Sequence, residues 1–260
     1  MLDLKIQINM TTVIVQQLTM LLAVATLALL WLLESARPFF KRANDRFAHA
    51  RTNFLYAIVG ISLTTIFSAF GLHALSCLAP YWSGVKLLGL PFWAQTLTLF
   101  LSFDAWMYVW HRLNHHLPLL WRFHQAHHSD REMDTTTAFR FHPLELAFSE
   151  VARFPVMLLL GMGAFELALY NLVLIPVILL HHSNVALSPT LDAALNRVIA
   201  SPNMHRVHHS EIQAETDSNF GAVFSWWDKL FGTYQTPNAP EKITLGVKFI
   251  EPKFSEPIIK

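Results

Sequence analysis

Imidazoles dominate the chemistry this chain can offer. Twelve of its fourteen histidines fall between residues 111 and 209, and they come in clusters. HRLNHH supplies His111, His115 and His116, HQAHH supplies His124, His127 and His128, and HRVHH supplies His205, His208 and His209. FHP adds His142, and HHSN adds His181 and His182. Positions i, i+3 and i+4 of a helix share one face, so 124/127/128 and 205/208/209 can each aim three rings at a point. His111 and His115 are one turn apart. Neutral imidazole is the commonest protein metal ligand, and this many exceeds the four ligands of a structural zinc site. The set is large enough for two five- or six-coordinate ions with open positions. Such sites accept iron, zinc, copper and nickel, so affinity alone does not choose the metal. HExxH is absent, which excludes a zinc-protease arrangement with a helical glutamate base. Many imidazoles around two ions at a membrane face suit iron that activates dioxygen against an apolar substrate.

The elements that position these rings are membrane helices. The 260 residues are 53% hydrophobic and only 14% charged, where soluble domains carry about 25% charge. A net charge of +1 speaks against a basic nucleic-acid-binding surface, and one cysteine, Cys77, excludes an internal disulfide framework. A helix needs about 20 apolar residues to cross a bilayer. Four stretches qualify: 13–33, 54–78, about 87 or 92 to 110, and 154–180. The first ends in Glu34 and Arg37 without a small-residue cleavage site and reads as an anchor. The last is interrupted by Gly161, Gly163 and Pro176, and reads either as one kinked helix or as a helical hairpin. The predicted fold is therefore all-α: an integral-membrane bundle of about four spans, or spans plus a hairpin, with a cytoplasmic His-rich helical cap. Arg37, Lys41, Arg42, Arg46 and Arg51 in the first loop, against Lys86 in the second, put the first loop and the histidines in the cytoplasm. Residues 1–235 form a single membrane-embedded domain with its catalytic half at about 100–235, and 236–260 read as a polar, Pro-spaced tail. The expected location is a bacterial inner membrane.

The string DAWMYVWHRLNHHLPLLWRFHQAHHSD, followed by TAFRFHPLE, HHSN, SPNMHRVHHS, NFG and WWDKLFGTY, closely resembles the fatty-acid hydroxylase (sterol desaturase) superfamily over about residues 100–235. The resemblance implies a membrane di-iron enzyme that uses dioxygen and two external electrons to hydroxylate or desaturate a lipid such as a sterol, fatty acyl chain or carotenoid. It implies a metal set of His111, His115, His124, His127, His128, His205, His208 and His209. His182 joins it because Ile178 stands where some members have a further histidine, and His142 completes a possible ten. His116 and His181 are expected to be bystanders, His49 a loop residue and His73 a polar group facing the bundle interior. Two iron ions are implied, which zinc can replace in preparations. A separate electron donor, a reductase with a ferredoxin or b5-type protein, is implied too, because no haem, flavin or nicotinamide fingerprint is present.

A ligating histidine usually donates its other N–H to a carboxylate or carbonyl. Asp104, two turns before His111, is the first candidate for that role, with Glu145, Asn184, Asn203, Asn219 and Asp228 behind it. The run FSWWDKLFGTY is expected to dock the cap on the membrane face. The rival reading from another class is a His-rich membrane metal-ion transporter or metal-binding protein. Transporters place ligands near the bilayer midplane, whereas these imidazoles lie beyond the ends of the spans.

Overall fold

The computed structural model describes residues 2–42, 45–78, 81–82, 84–236 and 239–247, with the backbone alone for 2–9. Five long helices form the bundle: α1 (Leu2–Ala36), α2 (Arg46–Leu78), α3 (Phe92–His116), α5 (Pro143–Leu160) and α6 (Ala164–His182). The short α4 (Pro118–His128) follows α3 directly. Beyond α6 come α7 (Pro189–Leu195), α8 (Pro202–His208), α9 (Gln213–Thr216) and α10 (Trp226–Leu230). Among the described residues there is no β-strand beyond isolated bridges.

Proline and glycine set the boundaries. Leu117 is extended and Pro118 opens α4, so the histidine-bearing end of α3 breaks into a second helix. Proline is tolerated at a first helical position because its missing N–H has no intrahelical partner there. The same device starts α5, α7 and α8, where His142, Ser188 and Ser201 cap the helices with their side chains. The 154–180 stretch resolves into a hairpin. α5 ends at Gly161, whose φ of 76° is left-handed, a conformation that costs glycine nothing. Glu166 then reaches back to the Gly163 N–H at 2.8 Å and caps α6.

Direction follows from neighbours. Gly60 and Gly71 of α2 lie under Leu146 and Phe154 of α5, so those two helices run parallel. A Cβ at Gly71 would fall 1.8 Å from the Phe154 ring, and only glycine lets the helices approach this closely. Asp104 meets Tyr170 and Leu30 packs with Leu179, so α1, α3 and α6 run the opposite way. All five therefore bring one set of ends to the histidines. Leu99, Phe103, Met157, Tyr170 and Leu174 fill the centre. Met20, Leu21, Ile58 and Phe70 stay exposed on the outside, a surface suited to lipid and not to water.

Met10–Ala36, Arg46–Leu78 and Ala164–His182 are long and apolar enough to cross a membrane, and the chain is an integral membrane protein. The third expected span, α3, is a continuous helix, but its inner half carries Asp104, Arg112, Asn114 and three histidines, which lowers its apolarity. Part of the expected tail is ordered against the cap: Leu245 is buried, Ser210 pairs with it, and the Val247 N–H reaches the His128 carbonyl at 3.0 Å. Pro237, Pro252 and Pro257 lie outside the described residues.

Candidate metal centre

Nine of the ten expected ligands converge in two adjoining groups. His111, His115, His124, His128 and His208 form the first, and His127, His182, His205 and His209 the second; within each, the ligand atoms lie within 4.8 Å of one another. α3 and α4 supply four rings of the first group, and α8 supplies the fifth. The second group takes His127 from α4, His182 from the end of α6, and His205 and His209 from α8 and its cap. The groups abut: the His128 and His209 rings stack with centroids 4.4 Å apart.

The hydrogen bonds fix which nitrogen of each ring carries its proton. His111 Nδ1 donates to the Phe220 carbonyl at 2.9 Å and His208 Nδ1 to the Ser218 carbonyl at 2.7 Å. A carbonyl only accepts, so the proton of each neutral ring sits on Nδ1 and Nε2 bears a lone pair. Those two Nε2 atoms face each other at 3.0 Å. The second group repeats the pattern: His127 Nδ1 donates to Arg140 O at 3.2 Å, His182 Nδ1 to Ile178 O at 2.8 Å, and their Nε2 atoms stand 3.1 Å apart. Two facing lone pairs have no proton to share, and a cation between them satisfies both. Burial, and after it the neighbouring imidazoles, holds His127, His128, His205, His208 and His209 well below the usual histidine range, so these rings are neutral. The buried Nδ1 atoms of His128, His205 and His209 have no hydrogen-bond partner among the described residues. An all-imidazole set with convergent lone pairs fits a borderline divalent metal such as iron or zinc.

Glu145, and not Asp104, bonds to an imidazole of the two groups. Buried Glu145 Oε1 accepts the His124 Nδ1–H at 2.6 Å. Asp104 is fully buried, but its bonds come from Tyr170 OH (2.6 Å), Trp227 Nε1 (2.8 Å) and the N–H groups of Val223 and Phe224 (3.2 Å each). Its position two turns from His111 turns the carboxylate sideways to α6 and the 220–227 loop, away from the rings. Asp228 grips the other end of that loop at the Phe220 and Gly221 N–H groups, 2.7 and 2.8 Å away. The Phe220 carbonyl that orients His111 thus hangs between two clamped ends. Trp226 and Trp227 of the aromatic run bond to Arg197 O and Asp104.

Other expected residues are placed as follows. His142 stands outside both groups: it caps α5, its Nδ1 accepting from the Leu144 N–H at 3.2 Å, and its ring packs on Phe123. His116 turns its Nδ1 to the Arg112 carbonyl, and His181 stacks on His205 with centroids 3.9 Å apart. Neither belongs to a group. His49 is not a loop residue; it lies in the first turn of α2, where Asp45 N-terminal to it and Asp130 draw it into structure. His73 is exposed on the outside of α2, one face away from buried Leu75, and does not look into the bundle.

Sequence reasoning missed an acidic belt behind the second group. Glu34 Oε1 accepts from the Thr135 and Asn184 N–H groups at 2.8 and 2.7 Å. Asp130 accepts from His49, Thr137 Oγ1 and the Glu132 N–H, and Asp134 pairs with Arg42. Burial alone would raise the Asp130 carboxyl, but the bonds from His49 and Thr137 hold it below the usual range. The signal was present as acids beside ligand motifs: HHSD, DTTT, and Glu34 closing an apolar run. Asp217 was missed as well; its Oδ1 stands 3.4 Å from His115 Nδ1.

Residues 96–233 match the fatty acid hydroxylase family. Alkylglycerol monooxygenase of Homo sapiens is 31% identical over 170 residues, covering 64% of this chain and 36% of that protein. Ornithine lipid hydroxylase OlsE of Rhizobium tropici is 32% identical over 141 residues, 54% of this chain and 42% of that protein. Alkylglycerol monooxygenase of Danio rerio is 32% identical over 172 residues, with 64% and 36% covered. The chain spans well under half the length of these curated relatives, and no solved structure matches it. The family match contains every histidine of both groups, and the chain belongs to the fatty acid hydroxylase family.

Proposed function

We propose that the chain is a membrane lipid oxygenase whose two histidine groups hold two iron ions. The observation that carries this reading is the pair of facing lone-pair contacts, one in each group, at the ends of apolar helices. When bound, iron would supply the dioxygen chemistry that an unactivated C–H bond requires. The chain's own residues then have defined tasks. Backbone carbonyls at 140, 178, 218 and 220 fix which nitrogen of each ring faces the ion, and Glu145 adds charge behind His124. The low exposure of both groups keeps water from the centre. The apolar helix surfaces deliver substrate from the bilayer.

The substrate in this reading is a membrane lipid with an apolar chain or ring, and the product is hydroxylated or desaturated. Two relatives act on lipids according to their names, an alkylglycerol and an ornithine lipid, which supports the class without choosing a member. Electrons come from a separate donor, a reductase with a ferredoxin or b5-type protein. The Arg-rich stretch 37–51, which runs into the first turns of α2, lies at the histidine end, which supports a cytoplasmic site in a bacterial inner membrane. His142 is left out of the proposed ligand set because its ring nitrogen caps α5.

The test is comparative lipid mass spectrometry of cells with the chain, without it, and with His208→Ala. A lipid that gains about one oxygen, or loses two hydrogens, only with the intact chain supports the reading. No mass change, together with metal flux into vesicles containing the purified protein, would replace it with transport.

A further inference from the structure

The bundle holds a second concave site, at the end away from the histidines. A cavity of about 650 Å³ opens between α1, α2, α3 and the α5–α6 turn. That volume falls in the range of small-molecule and lipid pockets, about 300–1,000 Å³. Its floor is apolar, formed by Leu72, Leu75, Leu99 and Met157. Its rim is polar and tied in place. Lys86 pairs with Glu166 at 3.0 Å, the Gln95 amide donates to Leu90 O at 2.7 Å, and Trp82 Nε1 donates to Leu159 O at 3.1 Å. Leu99 precedes His111 by twelve positions on one helix, so the floor lies about 18 Å along α3 from the nearest ligand.

We propose that this cavity binds the hydrocarbon chain of a membrane lipid from the leaflet opposite the histidines, with the lipid's polar group at the Lys86–Glu166 rim. The polarity gradient argues for an amphiphile: an apolar floor favours chain carbons, and a charged pair with a tryptophan beside it suits the interfacial layer where polar groups sit. The preformed rim argues for a site and not a packing defect, because Trp82 bonds to the end of α5 and Lys86 to the start of α6 beside the opening. This lipid is held apart from the metal groups, so the site does not depend on the oxygenase reading.

Photocrosslinking tests it. The full-length protein is placed in phosphatidylcholine vesicles containing a diazirine-bearing acyl chain, irradiated, digested and mapped by mass spectrometry. Adducts should concentrate on peptides carrying Leu72, Leu75, Leu99 and Met157, relative to the outer faces at Leu21 and Ile58. Thr96→Trp, which fills the cavity from a half-buried position, should cut those adducts by about tenfold while leaving the outer adducts and the metal content unchanged. Leu75→Trp gives a second filling variant should the first fail to fold. Adducts spread evenly over the outer faces, or cavity adducts that persist in a folded filling variant, would overturn the proposal.

Discussion

His111 on α3 and His208 on α8 are 97 positions apart, yet both tie their Nδ1–H groups to one three-residue segment, at Phe220 and Ser218, and so bring their Nε2 atoms to 3.0 Å. The 218–220 segment is therefore the jig for the first histidine group. Asn219 between them sits at φ 56° and bonds to Met204 O and Gln235, a left-handed position that asparagine tolerates better than most residues.

Loosening the jig should affect one metal and not the other. Asp228→Asn replaces one of the oxygens that accept the Phe220 and Gly221 N–H groups with an NH₂ group. We expect the first group to bind metal about 10–100-fold more weakly, a typical outer-partner effect, with the second group unchanged. Metal titration of the stripped protein should then show two separated affinities where the wild type shows closer ones. Equal weakening of both groups would show that the loop acts on the whole cap.

Glu145→Gln and Asp104→Asn should part company. Glu145→Gln removes the charge behind His124 and should lower turnover by about 10–100-fold at nearly unchanged stability. Asp104→Asn leaves the ligands alone but loses acceptor capacity for four donors, so it should cost about 1–3 kcal/mol of stability and keep both metals. Denaturation in detergent and metal analysis separate the two; a reversed pattern would return Asp104 to the role of ligand partner.

Bystanders and ligands separate in the same assay. His116→Ala and His142→Ala should keep two metals and most activity, whereas His182→Ala should lose the second metal. His181→Ala should keep both metals with reduced stability, since its ring packs against His205 and His182 and belongs to neither group. Loss of metal from His142→Ala would place that residue back in the ligand set.

Metal-stripped protein should be acid-sensitive. The unfolded chain takes up protons on histidine near pH 6.5, while His127, His128, His205, His208 and His209 stay neutral in the fold because burial lowers their pKa. The unfolded state then binds more protons, and stability falls as pH drops through 6.5. Thermal unfolding at pH 7.5 and 5.5 should show a clearly lower Tm at the acid value. A pH-independent Tm would mean that the rings are protonated or exposed in the fold.

The convergence of the histidines was legible in the sequence because a ring's reach depends on helical spacing, which the sequence states directly. The partition was not. His127 and His128 are adjacent on α4 but about 100° apart around the helix, and they enter different groups only because α6 and α8 arrive from different sides. Asp104 misled for a related reason: spacing placed it on the His111 face, but Val223, Phe224 and Trp227, 119 or more positions away, captured it. Gly161 and Gly163 marked a break in the 154–180 stretch but left a kinked helix and a hairpin both open, and Pro176 proved to lie inside α6. The carbonyl partners at 218 and 220 carry no side-chain signal at all, since any residue offers a carbonyl.

The most direct measurement is the metal content of catalytically active protein, by elemental analysis against quantified polypeptide, for the wild type, His208→Ala and His182→Ala. Two ions per chain in the wild type and about one in each variant is the predicted result. One ion or none in active wild-type protein, or two ions retained in both variants, would contradict a centre built from two histidine groups.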